Sequence, residues 1–329
     1  MRLAAGFCLL IAIALAADQK KLAAPANGIR TPGVQIPFST LKSELTFDLA
    51  EPAGWIAFAE SVWVPSADGL QRIDPKAKES KFGDAVSGMT KPCAGLISAF
   101  TSIWTPVCGD RTLARVDAKA GKVTATIASG TGTARPAIAA TADSVWMFTD
   151  ARGTLSRIDP QQNRVVAELR VHADCNTLAF GETALWITCP AENRVLRVDP
   201  QTNLVDKSIE IAGGPASLAI GDGSVWVLRS QEGKIDRIDP KTNKVTKTIE
   251  LGAPAAGGTM AIGEGSLWTS IPSFPITRID PAAEKVVQQF WGAGAGVIQT
   301  GGGSVWLANA RAGQLWKFDP KRIAATLAE

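Results

Sequence analysis

The 329-residue chain carries a single histidine, and an acid stands two positions away: both lie in the segment Val171-His172-Ala173-Asp174-Cys175. An imidazole oriented by a nearby carboxylate can serve as a general base around neutral pH. Asp150 offers a further carboxylate for the same work, so His172, Asp174 and Asp150 are the candidate catalytic residues. The count also excludes chemistry. One histidine cannot assemble a multi-histidine metal cluster. A Ser-His-Asp triad would have to use His172, and no Gly-x-Ser-x-Gly elbow supplies its nucleophile. Runs such as Gly221-Asp222-Gly223 and Gly301-Gly302-Gly303 precede no helical pattern, so they read as turns and not as dinucleotide loops. Candidates for binding a ligand are Arg111, Arg135, Arg152, Glu192, Arg229, Asn309 and Arg311, with Trp291 added as an aromatic surface in a loop.

What positions these residues is a repeat. Tryptophan recurs at 63, 104, 146, 186, 226, 268 and 306, with successive spacings of 41, 42, 40, 40, 42 and 38. A period of about forty residues built from short strands is the signature of a β-propeller blade. Residues 216–251 show one unit clearly: ASLAI, a GDG turn, SVWVL, a polar loop, KIDRI, a turn at DPKTN, then KVTKTIEL. Four short β-rich runs bounded by turn residues predict an antiparallel meander, strands A to D from the axis outward. In the C–D turn Asp239 can bond forward along the backbone, Pro240 presets φ, and Asn243 suits a left-handed closing position. The same residues recur at Asp159-Pro160 with Asn163 and at Asp199-Pro200 with Asn203. Arg-Ile-Asp-Pro therefore reads as a turn former plus a partly exposed arginine, not as an active motif. The repeated Trp reads as packing between blades. Trp55, Trp291 and Trp316 fall outside the register. The loops leading into strand A and those joining B to C must share one face, a funnel, and the candidate residues fall there.

Residues 1–17, a basic start followed by an apolar run ending near Ala14-Leu15-Ala16, predict a cleaved signal peptide, too short to be a membrane span. Residues 18–43 read as a linker or strap, and 44–329 as one all-β, seven-bladed domain. Closing the ring needs a shared strand. Both ELTFDL (44–49) and RIAATLAE (322–329) are candidates, and the sequence does not choose. Cys93 and Cys175 each precede their blade's Trp by eleven residues, and Cys108 and Cys189 follow it by four and three. Folding each A–B hairpin sets the members of each pair opposite one another, which predicts Cys93–Cys108 and Cys175–Cys189 and a periplasmic or secreted protein. With 34 basic and 31 acidic residues well mixed, no stripe for nucleic acid stands out.

The repeats GDGSVWVLRSQEGKIDRIDPKTNKVTKTIEL and TADSVWMFTDARGTLSRIDPQQNRVVAEL resemble bacterial seven-bladed propellers of the YVTN/NHL type, especially the virginiamycin B lyase (streptogramin lyase) branch. The likeness covers about residues 44–329. It implies the propeller fold and a lyase that opens a cyclic depsipeptide by elimination at a magnesium site of histidine and glutamate on the funnel face. Blades of that family commonly carry Glu three residues after the Trp. Here those positions hold Ser66, Val107, Thr149, Cys189, Arg229, Ile271 and Asn309. The expectation is therefore an exported, monomeric, cofactor-free propeller that binds a small molecule, peptide or envelope protein on its funnel face. The alternative is a lyase or hydrolase with a reduced site around His172, assisted by magnesium.

Overall fold

In the computed structural model, which describes residues 25–49, 55–93, 95–130, 137–309 and 311–327, every repeat Trp sits on strand B of an antiparallel sheet. Seven such sheets form a seven-bladed propeller. Blade five runs Pro215–Gly221, Ser224–Arg229, Lys234–Asp239 and Lys244–Glu250, within a residue or so of the sequence reading.

The tryptophans explain the ring. All seven are fully buried, and each packs on the following blade. Trp226 lies with Leu267 and Ile279 of blade six, while its neighbours Val225 and Val227 face Trp186 of blade four. Alternation along a strand sends adjacent side chains to opposite faces, so strand B serves two interfaces at once. Trp306 of the last blade packs on Val62, Val64 and Ile73 of the first. That contact closes the circle.

The strand that completes blade seven comes from the N-terminal side. Leu45–Asp48 pairs antiparallel with Gln314–Phe318, Leu45 opposite Lys317 and Asp48 opposite Gln314. Of the two sequence candidates, the C-terminal one forms a short helix, Pro320–Ala325, whose N-cap Asp319 accepts the Lys321 amide. The segment ahead of the closing strand binds along the rim. Gln35–Pro37 adds a parallel fifth strand beside Lys285–Trp291 of blade six. Two neighbouring glutamines on that strand secure the first and last of the described segments. Gln289 accepts the Ile29 amide and donates to Leu251 O, and Gln288 donates to Ile323 O and Thr326 O beside the C-terminal helix. Trp291 ends this strand opposite Pro37, half-buried, where the sequence reading placed it in a loop. The D strand simply runs on through Val286-Val287-Gln288-Gln289-Phe290 to Trp291.

The C–D turns carry the bonds read from sequence. Asp239 Oδ1 accepts the Lys241 amide at 2.7 Å, and Asn163, Asn203 and Asn243 are left-handed, with φ of 50°, 58° and 57°. The preceding arginine does more than expected. Arg157 lies over Trp146, donates Nε to Ser144 at 2.7 Å, and reaches into blade four through Nη1 to Pro200 O at 3.1 Å and Asn203 Oδ1 at 3.0 Å. Arg115 repeats these contacts on Trp104, Ser102, Pro160 and Asn163. The arginine is a latch between blades on the face opposite the funnel.

Candidate functional site

Backbone geometry delivers the loops that carry His172 and Glu192 to one face. The loop 171–176 leads into strand A of blade four, and Pro190–Asn193 joins strands B and C of the same blade. The Cys175–Cys189 disulfide ties the two together, and Cys93–Cys108 does the same in blade two, so both expected pairings are present. Held in this way, His172 Nδ1 lies 2.6 Å from Asp174 Oδ1, and His172 Nε2 lies 3.0 Å from Glu192 Oε1. The second oxygen of Asp174 accepts the Ala191 amide at 2.6 Å and the Glu192 amide at 3.3 Å. Asp174 is thus both a partner of His172 and a cap for the loop that carries Glu192.

Both imidazole nitrogens face carboxylates. A neutral imidazole has one N–H donor, so both bonds are complete as donated bonds only in the imidazolium form. That arrangement leaves neither nitrogen directed at open solvent, although His172 itself is half-exposed. Asp150, expected beside His172, serves its own turn. Its Oδ1 accepts the amides of Arg152 at 2.9 Å and Thr154 at 3.0 Å, and Oδ2 accepts the Thr154 hydroxyl at 2.8 Å. The Thr154 amide, helped by its hydroxyl and the Arg152 amide, holds the Asp150 carboxyl down at about 2. Arg152 and Arg170 stand 3.4 and 3.8 Å from the same carboxylate, and Arg152 is otherwise 80% exposed. Loop 171–176 meets this turn at its backbone, where Val171 N donates to Gly153 O and the His172 carbonyl packs against Gly153.

The binding candidates divide. Arg229 is largely buried, donating to Ala212 O, Glu232 and the buried Asp236, so it braces blade five. Asn309 is buried and accepts the amides of Arg311 and Ala312, a turn-forming role. Arg111, Arg152, Glu192 and Arg311 are exposed on B–C loops. Trp291 packs against the core of blade six. Arg135 lies outside the described residues. Among the described residues, the one grouping of possible metal ligands contains Asp174 with Cys175 and Cys189, and both sulfurs are committed to the disulfide. That grouping therefore cannot serve as the magnesium site of histidine and glutamate that the resemblance implied.

Sequence reasoning missed the pairing of His172 with Glu192, twenty positions apart. The available signal was the cysteine register: residues just before Cys175 must meet those just after Cys189.

No family model matches the chain, and no curated protein matches it in sequence. In structure it is similar to virginiamycin B lyase from Staphylococcus aureus, at 16% identity and a TM-score of 0.67, covering 83% of this chain and 97% of that one. It is similar to a streptogramin B lyase at 18% identity and 0.65, covering 83% and 95%. The Pan2 WD40 domain of Neurospora crassa is as near, at 14% identity and 0.66, covering 84% and 94%. Likeness of equal depth to proteins of different kinds establishes the propeller fold alone.

Proposed function

We propose that the chain is an exported binding protein that takes a small molecule, a peptide or an envelope protein on the funnel face of blades three to five, without catalysis. The observation that carries this reading is the state of His172. A general base needs a nitrogen within hydrogen-bond reach of the proton it removes, and here both nitrogens are engaged by Asp174 and Glu192. Asp150 is likewise spent on its own turn. What remains outward is a rigid surface of both charge signs, held by loops stapled at a disulfide. Such a surface suits recognition, because preformed loops lose little entropy on binding. Two disulfides also support an oxidising compartment and hence export.

The lyase reading keeps one support, the structural likeness to streptogramin lyases, and one experiment separates the two. Purified protein is incubated with a streptogramin B and with a panel of lactones, with and without magnesium. In parallel, a photo-crosslinking residue is placed at Arg152 on the funnel face or at Lys119 on the opposite face. The binding reading expects no turnover, and crosslinks in the cell envelope from position 152 but not from 119. Turnover that disappears in His172→Ala would replace it with the lyase reading.

A further inference from the structure

The latch between blades varies around the ring, and at the joint between blades four and five the way it is broken leaves a receptor behind. Three parts build the latch: a serine two positions before the Trp, the arginine of strand C, and the C–D turn of the next blade. Ser102, Ser144, Ser224 and Ser266 each accept the Nε–H of their blade's arginine. Blade four has Ala184 at that position. It also carries Asp206 on strand D, where blades two and five carry Thr124 and Thr246. Arg197 accordingly keeps its place near the Trp186 ring but turns its Nη1 back to Asp206 within its own blade. Among the described residues, Arg197 Nε and Asn243 Oδ1 are then buried without a hydrogen-bond partner. A cleft of about 370 Å³ lies here, lined by Glu182, Thr183, Arg197, Pro240, Lys241 and Asn243.

The turn across this cleft is the third copy of a motif whose other two copies grip a guanidinium. Pro160 O with Asn163 Oδ1 holds Arg115, and Pro200 O with Asn203 Oδ1 holds Arg157. In blade six the Asn position is Glu284, which takes Arg237 at 2.6 Å. Pro240 and Asn243 have the same residue types and the same left-handed turn, with their own arginine neutralised elsewhere by Asp206. We propose that the cleft between blades four and five, on the face opposite the funnel, is a binding site for a guanidinium group. Pro240 O and Asn243 Oδ1 are its acceptors and Glu182 supplies the counter-charge. A planar guanidinium with several N–H donors matches a paired carbonyl and amide oxygen as a single ammonium does not. The site is independent of the funnel-face reading.

Calorimetric titration of the full chain tests it, at fixed ionic strength, with free L-arginine, with the blocked tripeptide acetyl-Gly-Arg-Gly-amide, and with citrulline as the uncharged isostere. Saturable binding of the tripeptide assigns the guanidinium to a side chain of a polypeptide partner. Binding of free arginine alone assigns it to a small guanidino compound. Either outcome upholds the site, provided citrulline binds at least about tenfold more weakly, as expected when a charged donor is lost. Two variants make the test specific. Asn243→Ala removes an acceptor. Ala184→Ser with Asp206→Thr restores the residues of blade five and lets Arg197 occupy the turn itself. Each should weaken binding by about tenfold or more. The second variant introduces only residues that neighbouring blades already accommodate, so it keeps the proposal testable should Asn243→Ala fail to fold. Absence of saturable heat, or equal binding in the restored-latch variant, overturns the proposal.

Discussion

At the scale of single residues, the repeat tryptophans and His172 belong to different regimes. Trp226 is fully buried between two blades. Trp226→Ala should cost about 3–5 kcal/mol, as large-to-small core changes do, read as a lower denaturant midpoint at unchanged slope. His172 is half-exposed, and its contacts with carboxylates stand near the surface. His172→Ala should therefore shift global stability by less than about 1 kcal/mol, while loosening the loop Pro190–Asn193, seen as faster amide exchange there. The role of each Trp was legible in the sequence because its period exposes it. The role of His172 was half-legible: Asp174 lies in the same segment, but Glu192 comes from a loop that only the disulfide register brings near.

At the scale of elements, strands and turns were legible because each is a local matter of alternation and turn chemistry. The latch was not. Arg157 and its acceptors Pro200 and Asn203 lie more than forty positions apart, and nothing local in Arg-Ile-Asp-Pro says that the guanidinium crosses to the next blade. The repeat did contain a clue, the serine two residues before each Trp, whose only irregular member is Ala184. Placing Trp291 in a loop failed for the opposite reason, since the strand runs on once Gln35–Pro37 covers its edge. The turns also carry an acid sensitivity. Backbone amides hold the carboxyls of Asp159, Asp199 and Asp239 below their ordinary value of 3.8, led by those of Gln162, Gln201 and Lys241 respectively. The Thr154 amide brings Asp150 to about 2. A carboxyl with a depressed folded value binds fewer protons folded than unfolded, so its contribution is intact above the ordinary value and disappears as pH falls through the folded one. The urea midpoint should be flat from about pH 7 to 5 and fall between about pH 4 and 2. Asp150→Asn should flatten part of that fall.

At the scale of the whole molecule, closure was expected and its strand was one of two candidates, of which the N-terminal one pairs. ELTFDL and the C-terminal tail are both β-compatible in sequence, and the choice turns on Phe47, which fills the space beside Trp306 and Phe82. Phe47→Ala should therefore loosen blade seven and open the ring at its seam, giving earlier protease cleavage near residues 314–318 than elsewhere. The disulfides span 15 and 14 residues, each inside a single A–B hairpin. Reducing either should lower stability by about 3 kcal/mol in the chain-entropy model without opening the ring, because neither joins two blades.

The anchoring of the first and last described segments to blade six has a practical corollary for anyone attaching cargo. Gly28 bonds through its amide to Gly252 O, on the loop leading from blade five into blade six, so a fusion ahead of Asn27 begins at the lip of the mouth. The opposite end is fastened through Gln288 on the outer wall. A reporter or surface tether placed there leaves the mouth unobstructed, whereas the same reporter at the front competes with whatever docks in it.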